Sequence, residues 1–159
     1  VAGVDYAGHM TDDDAPSIGR IVDREHRLPV RVYYEDTDFT GVVYHATYLR
    51  YFERGRSEML RVMGVPPDRE DHGAFAVTRV VIDYRGAARI HDALVVHTSF
   101  TGMKGPRLNF RQRITRGDTV LTEAEIVAVA IHPDGRARKP SPAELTQWEA
   151  FRLASPNGP

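Results

Sequence analysis

The chain contains no cysteine. That excludes disulfides, thiolate metal sites and a cysteine nucleophile, and leaves the redox compartment unmarked. A long apolar run is missing too. No stretch approaches the roughly 18–20 residues that span a bilayer, and no signal-peptide pattern opens the chain. Nor is there an excess of one charge. Lys and Arg number 21 against 22 Asp and Glu, so at a net charge of −1 no global field favours nucleic acid or acidic lipid. No internal repeat and no low-complexity tract is present. What remains is 159 residues, 42% hydrophobic and 27% charged, which suits one soluble globular domain with a cytoplasmic location as the default expectation.

Residues 1–24 hold small and acidic residues without periodicity and read as a flexible arm. Gly8-His9-Met10 reads as a cloning remnant ahead of a natural start at Met10. A single domain is expected over residues 25–155. Leu28, Val30, Val32 and Tyr34 alternate with polar neighbours, which predicts a first strand over residues 26–34. Residues 46–63 read as one long helix. Tyr48, Phe52, Gly55, Met59 and Met63 recur at spacings of three and four, with Leu49 and Leu60 widening the stripe. Arg54 and Glu58 are placed for an i, i+4 pair. Gly55 in mid-stripe points to close approach of another backbone, because glycine there costs about 1 kcal/mol against alanine. Gly64, with Pro66 and Pro67 behind it, stops the helix.

A strand meander follows over residues 74–85, 93–100, 107–115 and 120–131. Residues 102–106 and Gly117-Asp118 supply turns, and residues 132–135 supply another. Ser141-Pro142-Ala143-Glu144 has capping-box spacing with proline at the first helical position, so a short helix should run to about Phe151. One long helix after the first strand, followed by an antiparallel meander, is an α+β arrangement.

Residues 31–50 are the chemically suggestive stretch. A β-type run leads into a turn with three carboxylates, Glu35, Asp36 and Asp38. Gly41 then releases the backbone, and Tyr44-His45 precedes the helix start. A helix N-terminus carries unpaired N–H groups and partial positive charge, so it can hold a developing oxyanion. A carboxylate just upstream could act on the same carbon. The plainer reading of Asp38 is a turn residue that bonds its own backbone before Gly41. Glu35, Asp36, Asp38 and His45 could also be read as metal ligands, but their spacing matches no metal motif, so no metal is expected.

The run YEDTDFTGVVYHATYLRYFERGRSEML, Tyr34 to Leu60, resembles the signature of the hotdog-fold acyl-CoA thioesterases. It is most similar to the tol-pal-associated branch of the 4-hydroxybenzoyl-CoA thioesterase superfamily. Its elements are an aromatic-rich strand, D-x-D, a turn with glycine, V-Y-H, and a helix reading Y-x-x-Y-x-E-x-x-R-x-E. The resemblance implies a curved antiparallel sheet wrapped around the central helix, with the short second helix beyond it. It also implies a homodimer or homotetramer whose active site lies at the subunit interface.

By the same resemblance Asp38, the second Asp of D-x-D, is the catalytic carboxylate, as general base or as nucleophile. The N–H of His45 takes the place of the oxyanion donor, while its imidazole either orients water and the acyl group or is simply polar. Tyr44 either walls the acyl pocket or makes a catalytic hydrogen bond. Asp36 shapes the turn. Lys104 and Arg107 occupy the hairpin that meets the phosphates of coenzyme A in the family; a solvated turn is the alternative. Coenzyme A is part of the substrate, and no cofactor is implied. A hotdog dehydratase is disfavoured, because His45 is followed by Ala46-Thr47 where that family has a Pro-Gly turn. The rival from another class is a non-catalytic adaptor that binds acyl carrier protein or an envelope complex.

Overall fold

The computed structural model describes residues 14–65 and 74–152. Six strands form one antiparallel sheet: β1 Arg20–Val22, β2 Glu25–Arg31, β3 Ala74–Tyr84, β4 Ala93–Lys104, β5 Arg107–Arg116 and β6 Thr119–Ile131. Their order across the sheet is β1-β2-β4-β5-β6-β3, so β3 is an edge. Helix α1, Thr47–Val62, lies on the inner face, and α2, Pro142–Ala150, follows the sheet.

The inner face is set by alternation. Leu94, Val96 and Phe100 of β4, Leu108 and Ile114 of β5, and Leu121 and Ile126 of β6 are all buried. Against them α1 lays Tyr48, Tyr51, Phe52 and Met59. The expected close approach sits at Gly55. A Cβ there would come 2.7 Å from Thr98 Oγ1 and 2.8 Å from Val96 Cγ1. Beside this point Gln112 donates to the Phe52 carbonyl (2.8 Å) and to Thr98 Oγ1 (2.7 Å), and accepts from Arg56 (2.8 Å). At the far end of the core Trp148 of α2 packs on Phe100 and Phe110, with ring centroids 4.8 and 5.8 Å apart.

Several elements differ from expectation. Arg20–Val22, inside the stretch read as an arm, is a strand paired with β2. The next strand ends at Arg31, and Tyr34 belongs to a 3-10 turn, Tyr34–Asp36, because Asp36 folds back onto the Tyr33 N–H (2.8 Å). Strand β4 runs on to Lys104, since a bulge between Phe100 and Gly102 lets the ladder continue; the turn shrinks to Gly105-Pro106. On α1, Leu49 is exposed and Tyr51 takes the buried place. Glu58 pairs with Arg61 (3.0 Å), not Arg54, whose guanidinium lies over the Tyr51 ring. The capping box appears as read: Ser141 Oγ accepts from the Glu144 N–H, and the Glu144 carboxylate accepts from the Ser141 N–H. Pro66, Pro67 and Met10 lie outside the described residues.

Candidate active site

The loop between β2 and α1 is pinned at both ends. Val32 exchanges backbone hydrogen bonds with Asp92 and His91 (3.0 and 2.9 Å). Asp36, buried, accepts from the Tyr44 N–H through its own carbonyl (2.9 Å), and Val43 N–H donates to Ala88 (2.8 Å). Between these anchors the chain reverses. Asp38 N–H donates to Val42, and Gly41 N–H donates to Asp38. Gly41 sits at φ +82 with open space around it, so the left-handed backbone and not crowding is what asks for glycine.

Asp38 crowns this reversal. Its Oδ1 accepts from both the N–H and the hydroxyl of Thr40. The Thr40 hydroxyl, the Thr40 N–H and the nearby His45 hold the Asp38 carboxyl below the ordinary Asp range. Oδ2 meets no donor among the described residues. The turn role foreseen for Asp38 is therefore real, yet it occupies one oxygen only. The other remains a free, charged acceptor.

The adjoining helix start is uncapped. Ala46 at the N-cap has helical φ and ψ and makes no side-chain cap bond. Thr47 N–H donates to the Tyr44 carbonyl (2.8 Å). In a trans peptide the C=O and N–H point opposite ways, so this bond also aims the His45 N–H. That N–H meets no acceptor among the described residues. Tyr44 and His45 are exposed, their rings tilted against each other at 4.5 Å. Asp38 with a free carboxylate oxygen and His45 with a free N–H thus lie on one loop that leads into a positive helix end, a set of groups that suits a carbonyl under attack.

A model of the thioesterase-like superfamily matches residues 32–148. The chain belongs to this superfamily. The acyl-CoA thioester hydrolase YbgC of Escherichia coli O6:H1 is 44% identical over 110 residues, covering 67% of this chain and 82% of that protein. The acyl-CoA thioesterase YbgC of Haemophilus influenzae is 41% identical over 114 residues, covering 70% and 84%. Among solved structures, a probable thioesterase from Bartonella henselae superposes with a TM-score of 0.67 at 37% identity, covering 74% of this chain and 98% of that one. The antiparallel sheet around α1 is accordingly the hotdog fold, and the protein is a thioester hydrolase.

Not all of the foreseen site residues of this thioesterase come together. Asp38, Tyr44 and His45 share one loop. Lys104 and Arg107 face each other across the Gly105-Pro106 turn, exposed, at the other end of the sheet. The helix start abuts Tyr84 and the segment before Ala93, whereas the hairpin ends β4 eleven residues beyond Ala93, about 36 Å along an extended strand. Within one subunit the two groups cannot touch the same end of a substrate. A cleft of about 240 Å³ lined by Arg79, Thr101, Asn109, Arg111 and Glu125 opens on the outer face, away from Asp38. Among the described residues no three His, Asp or Glu side chains converge as a metal set, and no helix is long and apolar enough to cross a membrane.

Sequence reasoning missed Tyr84. Its hydroxyl donates to the His45 carbonyl (2.8 Å), and its ring stands edge-on to His45 and Tyr48. Nothing in the local pattern of β3 marks it, because the contact spans 39 residues of chain.

Proposed function

We propose that this thioesterase hydrolyses acyl-CoA to a free carboxylic acid and coenzyme A, with Asp38 as the acting carboxylate. The observation that carries the reading is that one loop holds both an Asp38 oxygen left free by Thr40 and the unoccupied His45 N–H at the start of α1. The thioester oxygen would lie against that N–H. Asp38 then either takes a proton from the attacking water or attacks the carbonyl itself, giving an anhydride that water opens. Either route breaks the C–S bond, adds the elements of water and releases the coenzyme A thiol. Its depressed pKa keeps Asp38 ionised at neutral pH in both. Tyr44 and the His45 ring wall the acyl side. No cofactor takes part, and the setting is the cytoplasm.

The site works as part of a homodimer or a larger homo-oligomer. Edge strand β3 is eleven residues long and exposes Val77, Val80, Val81 and Tyr84. Such an edge invites pairing with a second copy. Antiparallel pairing of two β3 edges turns the second sheet end for end. Arg107 of the partner subunit and Lys104 of the partner subunit then reach the end that holds Asp38, offset from β3 by about 14 and about 19 Å across three and four strand spacings. The phosphates of coenzyme A would meet them there.

The exposed Tyr34 and Phe39 beside Asp38 favour a second reading, docking of an acyl carrier protein without turnover. Thiol release from a panel of acyl-CoAs and acyl-carrier substrates separates the two. Hydrolysis of acyl-CoA supports the proposal and names the acyl class. Tight carrier binding with no release from any thioester supports the adaptor.

A further inference from the structure

The oxyanion donor proposed above is a backbone group, and a backbone group is only as well placed as the peptides around it. The peptide between Tyr44 and His45 is fixed by the Thr47 N–H that binds its carbonyl. The next peptide, between His45 and Ala46, precedes the first helical residue, and the helix ladder offers its carbonyl no donor. Tyr84 supplies one. Its hydroxyl reaches the His45 carbonyl at 2.8 Å from the last residue of β3. Its ring is held edge-on by Tyr48, with centroids 5.6 Å apart, and meets the His45 ring edge-on at 6.4 Å. Tyr48 in turn is buried, its hydroxyl accepting the Ala88 N–H (3.0 Å).

We infer that Tyr84 is a positioning residue for hydrolysis: by holding the His45 carbonyl it aims the Ala46 N–H, on the same peptide, alongside the His45 N–H, so that two donors face the thioester oxygen. The planar trans peptide makes this link rigid, since a carbonyl held on one side fixes the N–H on the other. Ala46 N–H, like His45 N–H, meets no acceptor among the described residues. Tyr84 never touches the substrate carbonyl in this arrangement; it acts through the peptide. Because Tyr84 belongs to the edge strand, pairing of β3 with a second copy also steadies the oxyanion site. The inference rests on the reading of the helix start as that site.

The test is Tyr84→Phe, which keeps both ring contacts and removes only the hydroxyl. With an acyl-CoA that the wild type hydrolyses, kcat should fall about tenfold, a fraction of the loss on deleting a direct oxyanion donor. KM should stay within about twofold, and the melting temperature and oligomeric state should be unchanged. An unchanged kcat would overturn the inference. So would a kcat loss matched by unfolding or dissociation, which would make the hydroxyl merely structural. Asp38→Asn run in parallel keeps the two levels apart. If that variant stays active, the reading of the site has failed; if it is dead while Tyr84→Phe is fully active, only the role of Tyr84 has.

Discussion

Asp38 has one oxygen committed to Thr40 and one left over, and its behaviour with pH follows from that division. The folded carboxyl lies below the ordinary Asp value of about 4, so it stays charged further into acid. Turnover should be flat through neutrality and fall only as Asp38 protonates. Thr40→Ala removes the hydroxyl donor but keeps the N–H, so the acid limb of kcat/KM should move to higher pH. A pH–rate profile of the two proteins checks this. Gly55 is the residue where the fold is least forgiving. Elsewhere in a helix, alanine would gain about 1 kcal/mol over glycine. Here the added methyl meets Thr98 and Val96 inside 3 Å, so Gly55→Ala should cost on the order of 1–3 kcal/mol net, measured by denaturant melt. Asp38 and Gly55 were both legible in the sequence, one through its motif and one through its odd place in an apolar stripe. Tyr84 was not, because only the folded sheet brings it to His45.

At the scale of elements, β2, β4 and β5 are tied on the outer face by one carboxylate. Glu25 accepts from His97 Nδ1 (2.8 Å) and from both terminal nitrogens of Arg113 (2.8 and 3.2 Å). Burial pushes its pKa up, but the bonds from His97 and Arg27 and the charge of Arg113 outweigh that and bring it down to about 2. A depressed carboxyl stabilises the fold fully above its unfolded value of 4.5 and ceases to do so as pH falls towards 2. Wild-type stability should therefore drop by on the order of 3 kcal/mol across that window. Glu25→Gln should be less stable at neutral pH and lose less stability than the wild type between pH 4.5 and 2, where Glu144 still titrates, as urea melts at several pH values would show. Helix α1 and the capped α2 were readable because periodicity and caps are local. The Glu25 cluster was not, since its partners lie 72 and 88 residues away along the chain. Strand β1 was missed because three residues are too few to show alternation, and the length of β4 because a bulge at Gly102 reads as a turn.

For the whole molecule, the decisive fact is that the hairpin of Lys104 and Arg107 and the loop of Asp38 lie at opposite ends of one sheet. The sequence supplied both groups but not their separation, which depends on strand order and direction. If coenzyme A bridges two subunits, the site is shared, and hybrids should reveal it. Lys104→Ala with Arg107→Ala in one chain and Asp38→Asn in another each lose activity alone. Mixed and reassociated, they should regain up to half of the wild-type rate per heterodimer, because one of its two sites is then intact. No recovery on mixing would place Lys104 and Arg107 outside the site. Val80→Lys on the open edge should shift the protein to monomer in sedimentation and lower turnover with it.

The measurement closest to the central claim is thiol release from a hydrolysed acyl-CoA by wild type beside Asp38→Asn, with melting and sedimentation to show both intact. The chain has no cysteine and adds no thiol of its own. Loss of at least about a thousandfold in the variant, with fold and assembly unchanged, is the predicted result. Equal release from both proteins would contradict the account and take Asp38 out of the chemistry.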